Sequence, residues 1–199
     1  MDLDEIDNIK TPDIDDILFE EDEFSYFNAI LNFIFDDWHL YAQGYKLAGE
    51  ILYKYIEGNK VDQDFLVYPF IFLYRHFIEL TLKDIIKTGN KYLKDREEFS
   101  TIHEIDKLWA EVKKIIIEIK LEVAQDILRG VDSYMSQLSR IDPSSFSFRY
   151  PKDKSGRKYL PGYRRIGLKN FYEKMKILSS FLEGVNQNIA VIEENKTNT

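Results

Sequence analysis

Residues 65–87 read FLVYPFIFLYRHFIELTLKDIIK, and the reading of this stretch decides the fold. From Phe65 to Leu82 the only ionisable side chains, tyrosines aside, are Arg75, His76 and Glu79. Strands rarely run this long, and membrane spans rarely carry such a trio at mid-length. At about 100° per residue, positions such as Val67, Phe70, Tyr74, Phe77, Ile78 and Ile85 cover well over half of a helix circumference. A helix wetted only along a narrow strip belongs in the middle of a bundle. The strip holds Arg75, His76, Glu79 and Lys83, in which Arg75–Glu79 and Glu79–Lys83 are both i,i+4 pairs. The core must neutralise this line of charge, or a ligand must use it. Pro69 has no N–H to donate and predicts a kink or restart. Gly89-Asn90 predicts the helix end.

Working outward, residues 24–57 predict a long helix, with Phe27, Ile30, Leu31, Ile34, Trp38, Tyr41, Tyr45 and Leu52 at helical spacing and Gly58-Asn59 as its stop. On the other side, Thr101 and Glu104 match a capping box ahead of a face made by Ile105, Leu108, Trp109, Val112 and Ile116. Residues 122–141 predict another helix, stopped by Asp142-Pro143. Residues 142–165 hold three prolines and two glycines. There SFSFRY alternates and is expected to pair with KYLPGY in a short β-hairpin, placing Phe146 and Phe148 on the core side and Ser147 and Arg149 on the other. A last helix follows from Leu168, with a seam from Phe171 to Ile192. The expected fold is all-α: a five-helix bundle with a long structured loop before the last helix. An acidic, partly disordered leader at 1–22 precedes a single bundle domain at 23–194.

Composition narrows the function classes. The chain has no cysteine, which excludes disulfides and thiolate chemistry. Its histidines are His39, His76 and His103, a poor basis for a metal site, and neither metal nor cofactor is expected. The acidic N-terminus lacks a secretory pattern, so the expected compartment is the cytoplasm, with no membrane partner. Residues 1–23 carry eleven acidic residues and only Lys10, a net of −10, which leaves +2 for the rest of a chain of net −8. Residues 149–176 hold ten Lys and Arg against Asp153 and Glu173, a net of +8. Whole-chain acidity argues against bulk nucleic-acid affinity, whereas the basic segment suits a local anion such as RNA or a nucleotide. The leader is expected to meet that segment, in cis or in trans, or to tether a protein partner.

Three blocks carry a family resemblance: LVYPFIFLYRHFIELTLKDII at 66–86, HEIDKLW at 103–109 and IDPSSFSFRYPKDKSG at 141–156. In this order they resemble a group of uncharacterised prokaryotic all-α proteins of the HEPN-like superfamily (higher eukaryotes and prokaryotes nucleotide-binding). The resemblance spans roughly residues 24–190. It implies a helical bundle that forms a homodimer. It also implies metal-independent ribonuclease activity in toxin–antitoxin, phage-defence or related systems. The HEPN signature is an Arg, four to six residues, then a His. Arg96 and His103 have that spacing, although Glu97 stands where a polar residue such as Asn is usual.

Metal-free RNA cleavage needs a base for the 2′-hydroxyl and a cation for the charge developing on phosphorus. His103, His76 and Arg75 are the candidate catalytic residues. Arg149, Glu79, Lys83, Trp109, Tyr150 and Arg96 are the candidate binding residues. One cavity is expected to gather Arg75, His76, Glu79, His103 and Arg149, with Trp109 and Tyr150 as walls. The competing reading is a non-catalytic partner-binding or dimerisation module. In it the charges form an internal ion network and Arg149 anchors the loop on a buried carboxylate such as Glu79. A His103 facing an open, positively lined cleft favours the enzyme; a His103 packed under Trp109 favours the module.

Overall fold

The structure, a computed structural model, describes residues 12–15, 17–21, 23–31, 38–93, 101–160 and 162–197. The chain divides into two units, 1–36 and 37–199. In the first, the described residues form turns and one 3-10 turn, Ser25–Phe27, where Tyr26 packs on Phe24 and Phe27. Residues 1–11 of the leader lie outside the described residues. Residues 23–31 are not α-helical, and Ile30 and Leu31 are exposed. Among the described residues, the long helix expected from residue 24 is therefore found from Trp38 on, and residues 32–37 lie outside the described residues. Hydrophobic spacing alone does not make a helix where no partner face covers it.

The described residues of the second unit hold five α-helices: α1 Trp38–Asn59, α2 Gln63–Leu93, α3 Ile105–Glu118, α4 Gln125–Ile141 and α5 Leu168–Thr197. Among the described residues there is no strand. Helix α2 packs against α1, α3 and α5, and α4 packs on α3. Phe70, Phe77, Leu82 and Ile85 of α2 are fully buried, as the all-round apolar pattern requires. By length and composition α2 is apolar enough to cross a membrane, yet over half of its most apolar window is buried inside the bundle. Pro69 lies within α2, and the helix runs through it without a restart.

Close approach rather than chain termination explains the glycines of this core. Gly89 does not end α2, which continues to Leu93. A Cβ there would lie 2.4 Å from Ile115 Cγ2, so the missing side chain lets α3 sit against α2. Gly49 of α1 faces Tyr74 in the same way, with a Cβ falling 2.8 Å from its ring. Around Tyr74 an aromatic layer joins three helices. Tyr53 of α1 stacks on Tyr172 of α5 at 3.9 Å, and Phe171 meets both Phe70 and Tyr74 edge-on. The α5 seam is buried through Met175, Leu178, Leu182, Val185 and Ile189. Lys46 and Gln43 of α1 both bond Glu183 of α5, at 2.7 and 2.8 Å.

Two local expectations are corrected. Helix α3 starts one residue after Glu104, which is itself the N-cap residue and makes no side-chain capping bond. No Thr101–Glu104 box forms, because Glu104 pairs with Lys107 at 2.7 Å and the preceding residue is bound to α2. The loop after α4 pairs differently from the expected hairpin. The N–H groups of Arg149 and Tyr150 both donate to the Phe146 carbonyl at 3.0 Å, closing a turn. Pairing occurs further on, at a single antiparallel bridge between Lys152 and Lys158. Asp153 closes that excursion by accepting from Ser155 and Arg157, and Gly156 takes the left-handed φ of 82° that the reversal needs. As a result Ser147 and Phe148 are buried, while Phe146 and Arg149 are exposed. The alternation expected of SFSFRY gives way to turn geometry.

Candidate functional site

The charged strip of α2 is almost wholly buried. Arg75 is 1% exposed, and Glu79 and Lys83 are buried with it. Their i,i+4 spacing places Glu79 between two cations. Arg75 donates through Nη1 to Glu79 Oε2, and Lys83 Nζ lies 3.1 Å from Glu79 Oε1. The segment before α3 completes the cluster. Arg75 Nη2 donates to the His103 carbonyl at 2.8 Å, and His103 Nδ1 lies 2.8 Å from Glu79 Oε1. Lys83 also sits over the Trp38 ring at 5.7 Å. Burial works against the charge on Glu79, but the His103 bond, Arg75 and Lys83 together more than offset it. They hold the carboxyl below its usual range.

An ionised carboxylate only accepts hydrogen bonds, which assigns the imidazole proton to Nδ1. The His103 side chain is 69% exposed even though its Nδ1 is anchored in the interior. The ring is thus oriented by a fixed carboxylate while its far edge faces outward. That is the arrangement of a positioned acid/base group. Lys83 Nζ, 3.5 Å from Nδ1, adds positive charge beside it.

The loop docks on the same helix. Asp142, 1% exposed, accepts the Ser147 N–H at 2.9 Å through Oδ1 and faces Arg75 Nε through Oδ2 at 3.7 Å. Neither Arg75 Nε nor Asp142 Oδ2 has a hydrogen-bond partner among the described residues. The loop is therefore anchored by its own carboxylate on Arg75. The expected anchoring of Arg149 on Glu79 does not occur. Arg149 donates from Nε to the Ser145 carbonyl, and its guanidinium lies over Phe146, Tyr150 and Phe72 at 4.7, 5.7 and 5.5 Å. His76 is half-buried, stacked on Phe72 at 5.6 Å and met edge-on by Tyr45 at 4.4 Å. Burial lowers its pKa, Glu79 opposes this, and Arg75, Lys83 and Arg149 lower it further.

The residues expected to line one cavity thus fall into two neighbouring clusters on α2. One is ionic, with Arg75, Glu79, Lys83, His103 and Asp142. The other is aromatic, with Phe72, His76, Phe146, Arg149 and Tyr150. Arg75 lies too deep to meet a molecule in solvent and instead donates to the His103 carbonyl. Trp109 belongs to neither cluster. It is buried, packs edge-on against Phe181 and donates to Asp132 at 2.6 Å, with Lys113 on the same carboxylate at 2.7 Å. Arg96 lies outside the described residues. Sequence reasoning missed Asp142, taken only as part of a helix stop, and Phe72, which it did not single out. An acidic residue at the junction of an amphipathic helix and a structured loop was the available signal for the first. Comparison with family models, curated proteins and solved structures finds no match to this chain.

Proposed function

We propose that the bundle is a HEPN-like, metal-independent ribonuclease in which His103 is the acid/base group. The observation that carries this reading is the exposed His103 ring, held through Nδ1 by a carboxylate that two buried cations keep ionised. The Nε2 edge accepts the proton of a ribose 2′-hydroxyl as that oxygen attacks phosphorus. The P–O5′ bond breaks, a 2′,3′-cyclic phosphate forms, and the proton returns to the 5′-oxygen. The positive charge gained by the ring sits beside Glu79. Arg149, exposed and without a carboxylate partner among the described residues, is the cation for the phosphate. A homodimer belongs to the same proposal, and the exposed Leu47, Ile51 and Tyr55 on α1 offer it an apolar row. Light scattering at tens of micromolar checks it.

The test is incubation of purified protein with unstructured RNA in EDTA. Wild type should generate cyclic-phosphate ends, and His103→Ala should lose at least about 100-fold in rate with an unchanged unfolding transition. An inactive wild type would overturn the proposal. One observation favours the non-catalytic module: Glu79 has three partners within the chain, so the ion network stands without a ligand. On that reading His103→Ala alters stability or partner binding, and no RNA is cut.

A further inference from the structure

A cleft of about 1040 Å³ opens between the start of α2 and the loop before α5. It is lined by Arg149, Lys152, Lys158, Arg164 and Arg165, against Asp64 as the one acidic side chain in its wall among the described residues. None of these five cations makes an ion pair among the described residues. Arg157, by contrast, is paired with Asp153 at 2.9 Å. Lys152 and Lys158 even stand opposite each other at the antiparallel bridge, where like charges are destabilising. Fold stability does not explain a concentration of charge left uncompensated among the described residues; an anion in the cleft does.

Tyrosines supply the second half of the argument. Tyr68, Tyr150, Tyr159 and Tyr163 line the same cleft. Tyr68, Tyr150 and Tyr163 are each about half exposed, at 49%, 52% and 53%, so core packing does not account for them. Cations that track a backbone, interleaved with aromatic faces for bases, are the footprint of single-stranded nucleic-acid binding. The volume lies at the upper end of small-molecule sites, roughly 300–1,000 Å³, and so suits several nucleotides rather than one.

We infer that this cleft is a binding track for single-stranded RNA, its phosphates on the five cations and its bases against the tyrosines. Only the choice of RNA over DNA rests on the ribonuclease reading; the strand itself rests on the cleft. Arg149 and Tyr150 belong both to the cleft and to the aromatic cluster beside His76, so a strand in the track passes that cluster.

The test is fluorescence anisotropy of the full chain with a labelled 2′-O-methyl oligouridine 12-mer, which resists cleavage, between 50 and 200 mM salt. Wild type should bind it and should bind a duplex of equal charge more weakly. Arg164→Ala with Arg165→Ala should weaken binding at least tenfold and reduce the salt slope by about 1.4, at roughly 0.7 per lost phosphate contact. Tyr150→Leu with Tyr163→Leu should weaken binding and leave the slope unchanged. Lys154→Ala, outside the cleft wall, should bind as wild type. If circular dichroism shows the arginine pair unfolded, the Arg164→Gln, Arg165→Gln pair replaces it with the same expectation. The inference is overturned if wild type does not bind. It is also overturned if the cleft variants bind as wild type, or if duplex, anionic vesicles or an acidic phosphopeptide bind better than the single strand. Binding of intact RNA without cleavage would sink the ribonuclease proposal and leave this one standing; cleavage indifferent to the cleft would do the reverse.

Discussion

Arg75 and Arg149 are both arginines that the sequence nominates for an anion, and the fold treats them in opposite ways. Arg75 is sealed in the core, with Glu79, the His103 carbonyl and Asp142 around it. Arg149 lies exposed on three aromatic rings, with no carboxylate partner among the described residues. A sealed cation holds the structure together and orients its neighbours, whereas a ring-stacked, exposed one is free to meet a ligand. Breaking the sealed cluster should therefore have the largest effect on stability. Glu79→Ala leaves Arg75 and Lys83 buried without their shared carboxylate, and it should cost about 3–5 kcal/mol in urea unfolding. Replacing Arg75 and Glu79 together by Met and Leu should cost much less, because no lone charge then remains. Equal losses in the single and double variants would show that the pair is not the source of the penalty.

The seat of α2 against its neighbours is the next thing to break. Gly89→Ala drives a Cβ into Ile115 and should destabilise by about 1–3 kcal/mol. Gly130→Ala on α4 meets open space and should instead stabilise by about 0.5–1 kcal/mol. Opposite signs in thermal unfolding are expected. A neutral Gly89→Ala would mean that α2 and α3 do not pack as closely as they do here.

Acid should separate the two clusters by a smaller margin. Both titrating groups have depressed folded pKa values, so each contributes stability above its unfolded value and loses it as pH falls through the folded one. For His76 the loss begins below its ordinary value of 6.5, because its half-buried ring is held neutral, chiefly by burial. For Glu79 it begins below 4.5. Wild type should thus lose stability in two stages on acidification. His76→Gln should remove the stage that begins near pH 6.5 and leave the more acidic one, as followed by unfolding midpoints from pH 7.5 to 3.5.

Much of this was legible in the sequence, for identifiable reasons. The buried face of α2 followed from a pattern too apolar for any other place, and the α5 seam from its 4-3 spacing. The ionic strip was legible because i,i+4 spacing fixes which side chains meet. Helix starts were less legible, since they depend on what lies opposite. Phe27, Ile30 and Leu31 are spaced for a helix but stay exposed outside one. Thr101 and Glu104 match a cap, yet the chain there is committed to Arg75 and Glu79. Gly89 reads as a stop in sequence and acts as a packing gap in space. The candidate site splits for a related reason. Sequence spacing places residues along one helix, but the direction in which the loop presents Arg149 depends on a turn closed by the Phe146 carbonyl. A two-residue alternation did not foresee that turn.

The smallest expected effect on stability is at Arg149, and it is also the most informative. Its guanidinium is exposed, and each contact over Phe72, Phe146 or Tyr150 is worth about 0.5–1 kcal/mol at an exposed site. Those contributions share one side chain and are not additive. Ser145 is buried, but its bond to Arg149 is only part-buried, so removing the exposed guanidinium opens that carbonyl to water. Loop anchoring rests on Asp142 instead, through Ser147 and the buried Arg75. Arg149→Ala should therefore shift the unfolding free energy by no more than about 1 kcal/mol while weakening RNA binding and abolishing cleavage. Arg149→Lys should keep the charge and recover only part of the function, because an ammonium lacks the planar face that lies on the rings. A loss of stability comparable to that of Glu79→Ala, with RNA affinity intact, would erase the distinction between the two arginines and return Arg149 to a structural role.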